Sequence, residues 1–283
     1  MVIPLLLVAQ ACPQPVVLVT IDGVRPDEVW SPSGPDLLPN LHRLAARGMA
    51  WPEARASGPV FMSMPGYHEI ITGRTDTGRY DDPTLLDELD SAVVASWDWI
   101  ARMTNRVPIS AGRNAGHMRD NFRVSPDLDD AATSPAFPGV DDYRPDRYTA
   151  PLALAVLQTQ RPCFFWISLG DTDEYAHRGD YPSYLEALRA FDAFLGELDA
   201  TLAAMKVDPI VIVTTDHGRN KSFLDHGVEA ESSRVWIVVA GGPIVPLAPV
   251  EIGTLCQIAP LLRRVLGLPR DLGECAPLSA GYY

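Results

Sequence analysis

The chain lacks the features that mark several large protein classes. It has no apolar run long enough to cross a membrane as a helix. Its four cysteines include no Cys-x-x-Cys, which excludes a zinc ribbon. No internal repeat or low-complexity tract is visible, so a solenoid or a disordered linker protein is excluded. Basic charge is scarce: 23 Lys and Arg stand against 36 Asp and Glu, a formal net charge of −13. That balance argues against nucleic acid and anionic membranes as partners.

What is present is an ordinary globular composition. The 283 residues are 47% hydrophobic and 21% charged, enough for one substantial core and read as one domain over 1–283. Residues 1–15 begin with a short apolar run ending in Ala9-Gln10-Ala11-Cys12, a small-residue cleavage pattern without a positive n-region. It reads either as an export segment of a periplasmic or secreted protein, with Cys12 open to lipid anchoring, or as a plain N-terminal strand of a cytoplasmic one. Cys163 lies in an apolar run and reads as a buried thiol, while Cys256 and Cys275 could pair if the chain is exported.

Continuous apolar runs mark strands buried on both faces at Pro15–Asp22, Ser91–Trp97, Cys163–Leu169, Pro209–Thr215 and Arg234–Ala240. Helical periodicity predicts helices over Leu38–Gly48 with Gly48 as cap, and over Pro65–Thr72 ending at Gly73. Asp98 reads as a helix N-cap. A long helix over Ser183–Met205 is introduced by a Ser183/Glu186 capping box, and Ile252–Leu266 closes the series. Residues 120–150, rich in Pro and Asp, show no period and read either as an insertion near a site mouth or as a surface excursion. Strands alternating with helices predict an α/β fold, a mostly parallel central sheet sandwiched by helices.

Four islands carry chemistry-bearing groups. Asp22-Gly23 follows the first strand, at the carboxyl edge where open sheets place ligands, though an Asp-Gly standing alone there is more often a turn. Ser63 stands just before Pro65 at a helix start, either as a simple cap or where free N–H groups and the helix dipole favour an anion. Asp173 and His177, four apart, share one helical face, with Asp171 and Glu174 as neighbouring competitors. Asp216-His217-Gly218 ends a strand and His226-Gly227 follows nine residues on. One hydroxyl, three carboxylates and three imidazoles make the inventory of a two-metal hydrolase with a serine nucleophile.

The order Asp22, Ser63, Asp173/His177, Asp216-His217, His226 resembles the alkaline phosphatase superfamily: phosphatases, nucleotide pyrophosphatases/phosphodiesterases, sulfatases and metal-dependent phosphomutases. Leu38-Pro-Asn-Leu-His-Arg-Leu44 and Cys256-Gln-Ile-Ala-Pro…Leu-Gly-Leu-Pro269 extend the likeness from Val16 to Pro269. The resemblance implies that family's α/β sandwich. It implies two divalent metals, zinc most often and manganese as the other choice. Asp22, Asp216, His217 and the Ser63 oxygen would hold one; Asp173, His177 and His226 would hold the other; Ser63 matches the nucleophile position. Ser63-Met-Pro-Gly66 departs from the sulfatases, which carry Cys-x-Pro-x-Arg, and from the nucleotide pyrophosphatases, which carry Asn after that Pro. Arg25, Tyr67, His68 and Asn114 are the candidates to replace that phosphate contact. The expected activity is hydrolysis of a small-molecule phosphoric ester, with a leaning to diesters or phosphonate esters over dianionic monoesters. The alternatives are phosphoryl transfer to an alcohol on the same site, a sulfuric or phosphonic ester hydrolase, and a metal-binding protein without catalysis.

Overall fold

The computed structural model describes residues 12, 14–75, 84–88, 91–97, 99–100, 143–248, 251–269 and 275–279. Asn114, the Asp98 cap and residues 120–142 of the expected insertion fall outside this set, as does all of 1–15 except Cys12, Gln14 and Pro15.

Six strands form one sheet: β1 (Val16–Ile21), β2 (Gly48–Arg55), β3 (Ser91–Ala95), β4 (Phe164–Leu169), β5 (Ile210–Thr215) and β6 (Arg234–Ala240). Their order is β2-β6-β5-β1-β4-β3. Strands β3, β4, β1 and β5 run parallel, while β6 lies antiparallel to both β5 and β2. The helices are α1 (Pro26–Val29), α2 (Gly34–Leu37), α3 (Pro39–Ala46), α4 (Ser63–Thr72), α5 (Leu85–Glu88), α6 (Asp146–Gln160), α7 (Asp171–His177), α8 (Tyr181–Met205) and α9 (Ile258–Leu266).

The central strands β1, β4 and β5 are buried at every position, as continuous apolar runs require when both sheet faces are covered. Alternate side chains feed two cores. Leu18, Trp166, Ile212 and Ile237 pack with Ile70 of α4 and Leu261 of α9 on one face. Val19, Ile167, Val213 and Trp236 pack with Leu41 of α3, Val156 of α6 and Leu188 of α8 on the other. Each such side chain contributes about 1.5–3 kcal/mol on burial.

Several local readings are corrected. Gly48 does not cap α3; Arg47 does, and Gly48 opens β2. Ser63 does not cap α4 but is its first residue, after Met62 at the cap. Helix α8 starts at Tyr181, and its cap is Asp180, whose carboxylate accepts the Ser183 N–H at 3.1 Å. The Asp120–Ala150 segment ends early, because residues from Asp146 onward form the first turns of α6. Cys163 is no free thiol: it is bonded to Cys12, across a sequence separation of 151, at the edge where β1 and β4 begin. Cys256 pairs with Cys275 over a separation of 19. In the chain-entropy picture, closures of those lengths stabilise by about 5 and about 3 kcal/mol. No helix among the described residues is long and apolar enough to cross a membrane.

Candidate functional site

The chemistry-bearing islands converge at the carboxyl edge of the parallel strands. Ile21 lies beside Thr215 in register, so Asp22 and Asp216 leave adjacent strands together. The Gly23 N–H donates to Asp216 Oδ1 at 3.1 Å, and the Val24 N–H to Thr215 Oγ1 at 3.0 Å, which fixes the turn after β1 against the end of β5. Thr172 Oγ1, at the start of α7, donates to the Asp22 carbonyl at 2.6 Å and ties the third strand end to the same spot.

Around Asp22 lies a first cluster. His217 Nε2 sits 3.2 Å from Asp22 Oδ1 and 3.4 Å from Asp216 Oδ2. Ser63 Oγ lies 3.2 Å from His217 Nε2 and 3.3 Å from Asp22 Oδ1. Tyr67, one turn along α4, donates its hydroxyl to Asp22 Oδ2 at 2.8 Å. Ser63 itself occupies the first helical position of α4, where backbone N–H groups have no intrahelical acceptor.

A second cluster sits beside it. His177 Nε2 is 3.0 Å from Asp173 Oδ2 and 3.1 Å from His226 Nε2, and His226 Nε2 is 3.8 Å from Asp173 Oδ1. The His217 and His226 rings lie 3.8 Å apart, centroid to centroid, and join the clusters. Asp22, Asp216 and His217 can point one ligand atom each at a common position, as can Asp173, His217 and His226. His177, Asp225 and His226 form a third such set, which adds Asp225 as a donor that the sequence did not single out.

The donor chemistry fits a cation. His217 Nδ1 lies 2.8 Å from the Gly218 carbonyl and is buried. Burial, against the attraction of Asp173, lowers its pKa to about 4, so the ring is neutral and its one proton belongs on Nδ1. Its Nε2 lone pair therefore faces two carboxyl groups and a hydroxyl. Asp216 Oδ2 is buried without a hydrogen-bond partner among the described residues. Burial and then the neighbouring Asp173 raise Asp22 to about 7, and burial with Asp22 pushes Asp216 well above the carboxylate range. Burial, then His217, lowers His226 to about 4. Burial opposes the charge on Asp173, but Arg219 and the His177 hydrogen bond overcome it and hold that carboxyl well below its usual range. That same bond raises His177. Carboxylates crowded beside neutral imidazoles, with ligand atoms that converge, make a donor set that fits a divalent cation.

The candidates for the extra phosphate contact are otherwise engaged. Tyr67 is held by Asp22. Arg25 is paired with Glu28 and lies 4.7 Å from the Phe223 ring centroid. His68 is buried in α4. Position 66 is closed to any side chain: a Cβ there would sit 2.8 Å from the Asp216 carbonyl carbon and closer still to its oxygen. The Gly that replaces Asn is thus a condition of α4 approaching β5. Gly66→Asn is expected to cost about 1–3 kcal/mol through overpacking and to displace Asp216, lowering the thermal midpoint and weakening metal uptake in the same variant. A melt and a zinc titration of that variant check it; unchanged values in both would remove the steric reading.

Besides Asp225, two residues escaped sequence reasoning. Arg219, only 1% exposed, pairs with Asp173. Asp146 buries its carboxylate against the Gly170 and Asp171 N–H groups at 2.9–3.0 Å and steadies the start of α7.

Residues 148–270 match the Metalloenzyme superfamily, a span that contains Asp173, His177, Asp216, His217 and His226. The superposition on solved structures decides the fold: an alkaline phosphatase superfamily protein from Vibrio parahaemolyticus matches with a TM-score of 0.66 at 15% identity, over 93% of this chain and 69% of that one. This chain has the alkaline phosphatase-like fold. The lipoteichoic acid synthase LtaP from Listeria monocytogenes superposes with a TM-score of 0.65 at 14% identity, over 93% of this chain and 74% of that one. Among curated proteins, the phosphopentomutase of Symbiobacterium thermophilum is 31% identical over 118 residues, 40% of this chain and 28% of that protein. The phosphopentomutase of Pectobacterium carotovorum is 34% identical over 101 residues, 35% of this chain and 24% of its own. The aligned stretch thus spans about a quarter of each phosphopentomutase, while the alkaline phosphatase-like fold extends over nearly the whole chain.

Proposed function

We propose that this chain hydrolyses phosphoric esters with Ser63 as nucleophile and two divalent metals, zinc first and manganese as the other choice, held by the two clusters. The observation that carries the reading is Ser63 Oγ, placed at the first turn of α4 within 3.3 Å of both His217 Nε2 and Asp22 Oδ1. A hydroxyl there sits where its own ionised form is stabilised, by the helix N-terminus on one side and by a cation-demanding cluster on the other.

Asp22, Asp216, His217 and Ser63 would hold one metal, and Asp173, His177 and His226 the other. Bound there, the pair supplies Lewis acidity to the attacking and the leaving oxygen. Everything else is done by the chain. Tyr67 fixes the Asp22 carboxylate by its hydrogen bond. The Gly218 carbonyl fixes the His217 tautomer. The Leu224 carbonyl, 3.0 Å from His177 Nδ1, does the same for His177. Ser63 Oγ forms a bond to phosphorus as the ester P–O bond breaks, the alcohol leaves with a proton, and a phosphoseryl group remains. Water then attacks the same phosphorus, restoring the Ser63 hydroxyl and releasing phosphate or a phosphomonoester.

The exposed large side chains Met62, Leu224 and Val228 flank Ser63 and His226 in sequence, and the Phe61 N–H donates to the Gly227 carbonyl at 2.7 Å to bring the two segments together. Exposed apolar side chains close in sequence to Ser63 and His226 suit an ester with an organic substituent on phosphorus, which favours diesters over dianionic monoesters. The two disulfides favour an oxidising compartment, periplasmic or secreted.

The test is turnover of p-nitrophenyl phosphate, bis-p-nitrophenyl phosphate, p-nitrophenyl phenylphosphonate and p-nitrophenyl sulfate by zinc- and manganese-loaded protein. The diester is expected to lead. Sulfate turnover alone would overturn the phosphoric ester reading. A second reading, phosphoryl transfer to an alcohol, is favoured by the phosphopentomutase likeness. New phosphoester formed when acceptor alcohols are added would select it.

A further inference from the structure

Arg219 directly follows Asp216-His217-Gly218 and is 1% exposed. A guanidinium that deep is costly unless each donor is matched. Here each edge has a partner. Nη1 pairs with Asp173 Oδ1, Nε donates to the Phe223 carbonyl at 2.5 Å, and Nη2 donates to the Leu224 carbonyl at 3.3 Å. The Leu224 carbonyl is the one that also takes His177 Nδ1.

The loop from Arg219 to His226 closes on this side chain. The Asn220 N–H donates to the Asp225 carbonyl at 2.8 Å and the Phe223 N–H to the Asn220 carbonyl at 3.0 Å. Phe223 has φ 71°, a conformation that costs a bulky L-residue roughly 1–3 kcal/mol and persists only where the surroundings impose it. Its ring is pinned edge-on by Tyr181 and Tyr184, with centroids 5.1 and 4.9 Å away, and the Arg25 and Arg219 guanidinium carbons lie 4.7 and 5.6 Å from its centroid. Two residues beyond Leu224 the loop delivers His226.

One side chain therefore reaches every member of the second cluster: Asp173 by an ion pair, His177 through a shared carbonyl, and His226 through the loop it braces. It makes no hydrogen bond to Asp22, Asp216 or Ser63. We propose that Arg219 is the positioning residue of the second metal site, setting the affinity of that site while leaving the Asp22/Asp216/His217 site largely untouched. This rests on the two-metal reading above. Arg219 acts here through Asp173 and the two carbonyls, which take one N–H from each of its three nitrogens.

The experiment is calorimetric titration of zinc into metal-stripped wild-type, Arg219→Met and Arg219→Lys proteins, with thermal melts beside it. Wild type is expected to show two sites. In Arg219→Met one equivalent is expected to lose about 10- to 100-fold in affinity, the range for removing a partner that orients a ligand. The other should stay within about threefold. Arg219→Lys keeps a charge for Asp173 but cannot bridge both carbonyls, so it should fall between the two; if Arg219→Met does not fold, Arg219→Lys carries the comparison. Second-site affinity equal to or tighter than wild type in a folded variant overturns the proposal and leaves the two-metal reading standing. Equal loss at both sites overturns it as well. No zinc bound by folded wild type overturns both together.

Discussion

Ser63→Ala is expected to lower kcat on the best ester by at least about 10³-fold while the protein keeps both metals and its melting temperature within a few degrees. The reasoning is geometric. Ser63 is the first residue of α4, not its cap, so truncation to alanine removes no capping hydrogen bond and leaves a good helix former at the same position. What disappears is an oxygen 3.2 Å from His217 Nε2 and 3.3 Å from Asp22 Oδ1. With that oxygen gone, water must attack the ester directly, without the positioned nucleophile. Loss of a nucleophile in a preorganised site costs up to about 10⁶-fold, and the activity left over comes from binding and charge stabilisation alone. As a neutral hydroxyl, Ser63 would add less to metal binding than the proposed carboxylate and imidazole ligands. Loss of turnover should therefore be large while zinc uptake falls little. Steady-state kinetics and zinc titration of the same preparation separate the two. Wild-type turnover in a metal-loaded Ser63→Ala protein would remove Ser63 from the reaction.

Stripping the metals is expected to abolish activity, and readdition should restore it with a steep dependence on pH. Asp22, buried and repelled by Asp173, titrates at about 7 in the metal-free protein, and Asp216 lies well above its usual range for the same reasons. A cation entering the first cluster must displace those protons. Below pH 7 each displaced proton weakens apparent affinity about tenfold per pH unit. His217 and His226, lowered to about 4, are already neutral and add nothing across this range. Zinc affinity should therefore tighten as pH rises from 6 to 8. The metal-free fold responds in the opposite sense at Asp22. Its folded pKa lies above the unfolded value, so its contribution to stability is complete below the unfolded pKa of 3.8 and is lost as pH rises through about 7. The rise in melting temperature on adding saturating zinc should consequently be larger at pH 8 than at pH 6. Equal increments at the two values would mean that the first cluster is not where zinc binds.

The strands that position the site were readable because burial on both faces leaves an unbroken apolar run, as in Val16–Ile21, Phe164–Leu169 and Ile210–Thr215. β2 was not readable. It lies at the sheet edge beside β6, carries a bulge between Trp51 and Ala54, and exposes Pro52 and Glu53, so neither a run nor a clean alternation survives. The capping box at Ser183 failed because an acidic residue three positions earlier, Asp180, reaches the same Ser183 N–H. The six side chains of the two clusters and Ser63 were legible because Asp, His and Ser at strand ends and helix starts are chemically conspicuous. Arg219 was not. In sequence it is one basic residue in a polar loop, Gly218-Arg-Asn-Lys-Ser222, and nothing local says that it turns inward. Its burial depends on Asp173, 46 positions earlier and on another element. The cysteines make the same point: the partner of Cys163 lies 151 residues away, where only the alignment of β1 with β4 brings it close.

That pairing gives the molecule two ends with separate duties. Cys12–Cys163 staples the amino ends of β1 and β4, whereas Asp22 and α7 leave their carboxyl ends. Six residues of extended chain, about 20 Å, lie between. Perturbations that far apart with no shared partner act independently. The loops at the chemical end can therefore be lengthened, trimmed or rebuilt while the covalent staple at the other end keeps the two strands in register, so new specificities can be grafted onto this sheet without first re-solving how it holds together.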